Sequence, residues 1–157
     1  MEPLTKDLVR FRQFIRRGTP GPHAYVLLLG LETFDPPELF RAVQRGFSYR
    51  TFERFRQNTS LSFERVIRLI NIPRRTMTRR KREGRFPPSE SDRLLRASRL
   101  FGKTLALFEG DRDAATEWLT TPHPALGGTV PLELARSEVG AQEVERLVGR
   151  LEHGVFS

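Results

Sequence analysis

Half of the twelve residues from Pro73 to Gly84, PRRTMTRRKREG, are basic: Arg74, Arg75, Arg79, Arg80, Lys81 and Arg82. Guanidinium groups at this density suit one chemistry above others. Each presents a planar fork of donors that matches a phosphate or the O6/N7 edge of guanine, and a good bidentate pair discriminates between bases by about 1–3 kcal/mol. On a helical wheel with Met77 turned inward, Arg74, Arg75, Thr78, Arg79 and Arg82 fall on the outward face. Arg80 and Lys81 fall on or near the inward edge, and Arg80 is expected to be structural, paired with a carboxylate. A DNA-contacting face is thus separated from a packing face within one short segment.

Other chemistry is poorly supplied. The chain contains no Cys, and its three His residues, His23, His123 and His153, lie far apart in sequence. Asp111 and Asp113 are a close carboxylate pair that reads as a helix cap and a helix surface position. No nucleophile–base pair, metal cluster or phosphate-cradling Gly loop is visible, so no enzyme activity, metal or cofactor is expected. No apolar run approaches the roughly 18 residues of a membrane span, and the N-terminus lacks the order of a signal peptide. A cytoplasmic protein is expected.

The elements that must position the basic segment are helical. Ser62 is a suitable N-cap for a helix through Ile70, with Phe63, Val66, Ile67 and Ile70 as its buried stripe. Asn71 suits the left-handed backbone of a tight turn, and Ile72 and Met77 anchor the second helix. Amphipathic helix, tight turn and basic helix in this order make a helix-turn-helix.

Upstream, Leu4 to Arg17 has helical apolar spacing, and GTPGP (18–22) breaks it. AYVLLLGL (24–31) is apolar all round and reads as a buried helix or a strand. Pro36 and Pro37 can open a helix to Arg45 that stops at Gly46. Another helix follows from about Ser48 to Gln57. Downstream, Ser89 and Asp92 resemble a capping box for a long helix from Glu90 to Phe108, locally weakened by Gly102. Asp111 caps a short helix on which Trp118 reads as core. The Gly/Pro-rich stretch 122–131 connects to a final helix from Glu138 to His153. The whole reads as an all-α chain of seven or eight helices.

Charge is divided along the chain. Residues 1–88 carry 19 Lys and Arg against 8 Asp and Glu, whereas residues 89–157 carry 8 against 11. The first part suits a polyanion and the second does not. Arg outnumbers Lys by 24 to 3, which favours bidentate contacts over point charges.

The segment from Ala114 onward resembles the toxin-binding domain of the Xre/MbcA/ParS antitoxin family. The matching residues are Trp118-Leu119, Pro122, Ala125-Leu126-Gly127-Gly128, Pro131-Leu132, Gly140, Val144-Glu145, Leu147, Gly149-Arg150 and the ending from Glu152 to Phe156. The block from Arg74 to Arg96 resembles the Xre-type helix-turn-helix of the same antitoxins. One departure is Pro73, where the family often has a capping Ser. The resemblance covers about 48–157 and implies a type II antitoxin. Its partners would be a RES-domain toxin, of a family associated with NAD breakdown or ADP-ribosyl transfer, and operator DNA of its own operon.

Three regions are expected on this basis: an N-terminal helical region (1–47), a helix-turn-helix domain (48–108) and a toxin-binding domain (109–157). Paired half-sites call for a homodimer, with Tyr25 to Leu31 as the expected contact. Arg150, His153, Gly154, Val155, Phe156 and Ser157 are the residues expected to meet the toxin, the tail entering its substrate cleft. Two alternatives stay open, a stand-alone transcriptional regulator and a general polyanion-binding protein.

Overall fold

Apolar residues three and four apart dominate the chain, and the computed structural model is built from helices. It describes residues 4–16, 24–32 and 34–154. In order, the elements are α1 (Lys6–Arg16), a 3-10 helix (Ala24–Leu29), α2 (Pro36–Arg45), α3 (Tyr49–Thr59), α4 (Phe63–Leu69) and α5 (Arg74–Glu83). They continue with α6 (Pro88–Leu107), α7 (Arg112–Leu119), a 3-10 turn (Pro124–Leu126), α8 (Pro131–Leu134) and α9 (Glu138–Glu152). Among the described residues, extended pairing is confined to two isolated bridges, Ser48 with Arg85 and His123 with Thr129.

Polar caps set several helix starts. Ser62 Oγ accepts from the Arg65 amide at 3.2 Å, Asp111 Oδ1 from Ala114 at 3.1 Å, and Ser137 Oγ from Gly140 at 3.0 Å. Each satisfies an otherwise orphaned donor of the first turn. The expected capping box at Ser89 and Asp92 is not formed. Helix α6 begins earlier, at Pro88 after Pro87, because proline's fixed φ suits a first turn and its missing donor costs nothing there. Ser91 is buried instead, and its Oγ accepts from the Phe47 amide at 2.8 Å. The four-residue helix α8 is an element the sequence reading lacks.

The segment 24–31 is where the structure departs most from expectation. It forms a 3-10 helix, and Val26, Leu27, Leu28 and Leu29 are buried within the chain itself. Of the expected dimer contact at Tyr25 to Leu31, the side chains of Val26 to Leu29 are thus already occupied within the chain, packed between α1, α3 and α6, whereas Tyr25 and Leu31 are half-buried. Gly102 permits this packing. A Cβ there would lie 2.7 Å from Tyr25 Cβ, so this glycine serves close approach and does not merely weaken α6.

Polar groups weld the N-terminal helix to the same core. Buried Asp7 accepts from Arg54 Nε at 3.1 Å and from Asn58 Nδ2 at 2.8 Å. Asn58 Nδ2 also donates to the Leu28 carbonyl at 2.8 Å. A buried carboxylate is tolerated only with such partners. Arg54 thus has a structural task. One apolar cluster runs from Leu8 and Phe11 through Phe55 and Phe101 to Ala115, Leu119 and Val144. Phe55 and Phe101 meet edge-on, centroids 6.4 Å apart; burying each ring is worth about 1.5–3 kcal/mol.

Candidate functional site

Helix α4 packs through Val66 and Ile67, and Ile70 is buried just beyond it. Asn71 then reverses the chain with φ of 55°, a conformation that Asn reaches more easily than most residues. Buried Ile72 holds the turn in the core. Arg93 of α6 closes it from outside: its Nη1 donates to the carbonyls of Ile70 at 3.0 Å and Asn71 at 2.7 Å. These are orphan acceptors at a helix end, satisfied by a cation.

Helix α5 starts after Pro73, whose side chain supplies no cap. Met77 is buried to 1 % exposure and fixes the rotation of the helix. Arg74, Arg75, Thr78, Arg79 and Arg82 are all exposed, on the face the wheel assigned to them. Arg80 is turned inward and forks onto Glu90, Nε to Oε1 at 2.7 Å and Nη2 to Oε2 at 2.8 Å. Glu90 raises the Arg80 pKa further above its ordinary value, so this guanidinium is a permanent structural cation. Lys81 departs from expectation: it is exposed and lines an open groove with Tyr49, Phe52 and Arg56. Position 81 follows the Arg80–Glu90 anchor by one residue, which turns it about 100° away.

The outward arginines are not equivalent. Arg74 is ion-paired with Glu64 and lies over the Phe63 ring, 5.0 Å from its centroid. Arg79 reaches Glu83 at 3.8 Å. Arg75 and Arg82 have no ion pair among the described residues. Thr78 Oγ1 donates to the Arg74 carbonyl at 3.2 Å, leaving its lone pairs facing outward.

The C-terminal elements form a second unit against α6. A bridge between His123 and Thr129 closes the loop, with Gly127 and Gly128 at positive φ. Trp118 is half-buried and packs against His123 with the rings tilted, centroids 4.6 Å apart. Its neighbour Leu119 is the fully buried one. Gly140 lets α9 approach α8: a Cβ there would lie 1.8 Å from the Leu134 carbonyl oxygen. Arg150 is half-buried near the end of α9, and His153 and Gly154 are exposed. Val155, Phe156 and Ser157 lie outside the described residues.

Three arginines that sequence reasoning passed over join the two units. Arg93, Arg96 and Arg99 recur every third residue along α6. Arg93 holds the turn before α5, Arg96 pairs with Glu138, and Arg99 Nε donates to Glu145 at 2.8 Å. Their spacing is visible in the sequence; their partners, 42 and 46 residues downstream of Arg96 and Arg99, are not. On the other side, Arg68 Nη2 of α4 donates to Glu133 of α8 at 2.9 Å, and Arg136 Nε donates to the Arg68 carbonyl at 3.2 Å. Arg68 is therefore an inter-element tie.

A braced helix, a left-handed turn and a second helix with exposed guanidinium groups define a helix-turn-helix protein with an appended helical domain. Comparison with known proteins gives the same division. Residues 38–99 match the antitoxin Xre-like helix-turn-helix domain, and residues 104–154 match the antitoxin Xre/MbcA/ParS C-terminal toxin-binding domain. Antitoxin Xre of Yersinia enterocolitica is 38% identical over 130 residues, covering 82% of this chain and 88% of that protein. Antitoxin Xre of Photorhabdus laumondii is 29% identical over the same shares. A Sphingobium protein named Prs ADP-ribosylating antitoxin is 25% identical over 150 residues, covering 90% of this chain and 92% of that protein. The chain belongs to the Xre antitoxin family: it is an antitoxin of a toxin–antitoxin system, with a DNA-binding helix-turn-helix and a toxin-binding domain. No helix among the described residues is long and apolar enough to cross a membrane.

Proposed function

We propose that this antitoxin neutralises a RES-domain toxin by direct binding and represses its own operon as a homodimer, without catalysis of its own, in the cytoplasm. The single observation that carries the operator half is the division of α5, with Met77 buried and Arg75, Thr78, Arg79 and Arg82 exposed. Arg74 joins the DNA surface once it leaves Glu64. The three regions 1–47, 48–108 and 109–157 divide the labour, the middle one reading DNA and the last one binding toxin.

The toxin half is supported by the matched C-terminal domain. The word ADP-ribosylating in the Sphingobium relative's name supports a partner that handles NAD. Arg150, His153 and Gly154 then carry the tail, Val155, Phe156 and Ser157, into the partner's substrate cleft. The test is co-expression with the product of the adjacent gene. Growth rescue and co-purification with a RES-domain protein are expected. Deleting Val155 to Ser157 should weaken rescue and leave operator binding unchanged. Full rescue by the truncated protein would remove the tail from the mechanism, and failure to co-purify would remove the RES partner.

A further inference from the structure

The edge of α5 that faces α3 and α4 carries charge apart from the outward face. Arg74, Thr78 and Lys81 recur at i, i+4 and i+7 and so lie along this one edge. Lys81 lines a groove of about 860 Å³ together with Tyr49, Arg56, Phe63 and buried Arg112. Phe63 is shared between two guanidinium groups: Arg74 Cζ stands 5.0 Å from its centroid and Arg56 Cζ 5.7 Å. Arg74 is already paired with Glu64. Arg56 and Lys81 are exposed, and neither has an ion pair among the described residues. The Tyr49 hydroxyl has no hydrogen-bond partner among the described residues either. Burial, followed by the Glu53 carboxylate, raises its pKa, so it stays a donor. Glu53 is the one carboxylate among the residues that line the groove, against the cations of Arg56, Lys81 and Arg112.

We propose that this groove seats a backbone phosphate of the operator, with Lys81 and Arg56 as its cations and the Tyr49 hydroxyl as a neutral donor. The inference rests on the operator reading and adds to it the residues that position α5 on the duplex. A helix with its side chains is about 10–12 Å across and the major groove about 12 Å wide. The edges of a helix lying in that groove therefore face the sugar–phosphate walls. The first helix of a helix-turn-helix crosses the backbone, and here its first residue, Phe63, carries Arg56 and Arg74 on its ring. Residue types follow the same division. The outward positions 75, 79 and 82 are arginines, whose planar forks suit base edges, whereas the edge position 81 holds one of the chain's three lysines, a point charge that suits phosphate. Phosphate contacts set register and carry no sequence information, so Lys81 and Arg56 are positioning residues.

Fluorescence anisotropy of the full chain tests it, with the promoter duplex and a scrambled duplex of equal length over a salt series. Lys81→Ala and Arg56→Ala should each weaken both duplexes by the same factor, about 3- to 10-fold, and lower the slope of log affinity against log salt by about 0.9 per chain bound. Tyr49→Phe should weaken both without moving the slope, and Lys81→Arg should keep affinity and slope. An unchanged slope in either alanine variant overturns the proposal. A loss confined to the promoter overturns it too, because these residues would then read bases. So does loss of toxin capture with both duplexes bound as before. AMP should show no saturable binding in equilibrium dialysis. Binding of AMP that Lys81→Ala abolishes, with both duplexes unaffected, would make the groove a nucleotide site and overturn the proposal. A wild type that binds the two duplexes equally overturns the operator reading, while the slopes still judge the phosphate seat.

Discussion

The Arg80 guanidinium holds the Glu90 carboxylate in two parallel hydrogen bonds of 2.7 and 2.8 Å, with both side chains nearly out of solvent. The pair fixes the C-terminal half of α5 against the start of α6, as Met77 fixes the N-terminal half. Position and charge in α5 are thereby assigned separately: one arginine orients the helix and the others face outward.

Glu90→Ala leaves a largely buried guanidinium with Glu83 as its remaining ion-pair partner. Breaking such a pair from one side is expected to cost about 2–4 kcal/mol, read as a lowered urea midpoint with unchanged slope. Arg75→Ala, at an exposed position, should change stability by no more than about 0.5 kcal/mol. Equal effects from the two would contradict the division of roles.

Operator binding should separate the outward residues. Arg75→Ala and Arg82→Ala are each expected to weaken promoter binding about 10- to 100-fold, or to lower the salt slope by about one where the contact is to phosphate. Arg74→Ala should do less, because Glu64 and Phe63 already hold that side chain. Glu64→Gln should free Arg74 and tighten binding to any DNA. Fluorescence anisotropy over a salt series distinguishes these outcomes, and a dominant loss from Arg74→Ala would reverse the assignment.

Acid should loosen the C-terminal domain first. The hydrogen bond from Arg68 holds the Glu133 carboxyl below its ordinary value of 4.5, and Arg96 does the same for Glu138. Both carboxylates are lower in the folded state than in the unfolded one. Their contribution is therefore complete above about pH 4.5 and is lost as pH falls through the folded values. Unfolding followed between pH 6 and 3 should show this loss, and the Glu133→Gln, Glu138→Gln double variant should flatten it. An equally steep double variant would place the acid sensitivity elsewhere.

Gly140→Ala should damage toxin binding selectively. The added methyl would meet the backbone oxygen of Leu134, which has no rotamer with which to yield. Forced separation of α8 and α9 is expected to cost at least about 2 kcal/mol. Loss of toxin capture with retained promoter binding is the expected pattern in pull-down and gel-shift assays, and unchanged capture would argue against a rigid α8–α9 seam.

Local chemistry was legible in the sequence, and pairing at a distance was not. Ser62, Asn71 and Met77 announce a cap, a left-handed turn and an inward face within sixteen residues, and each does so in the structure. Asp111 likewise caps α7. Lys81 was misjudged because wheel geometry alone cannot see that Glu90 captures Arg80 and leaves its neighbour outside. The segment 24–29 was ambiguous because an all-apolar run has no periodicity to read. Its burial inside one chain depends on Gly102, some seventy residues away. Nothing local marks Arg54 and Arg68 as structural, because their partners Asp7 and Glu133 lie 47 and 65 residues distant.

The arginines at positions 93, 96 and 99 make α6 a shared girder. Its 20 residues span about 30 Å at 1.5 Å per residue. One stretch grips the turn that aims α5, and the next grips α9 of the toxin-binding domain. The same helix thus touches α9 and, through Arg93, the carbonyls of Ile70 and Asn71. Thermodynamic reciprocity sets the rule for such a girder: whatever factor toxin applies to operator affinity, operator applies to toxin affinity. Under the proposed function, a coupling factor other than one would make repression and neutralisation titrate together with the ratio of the two proteins.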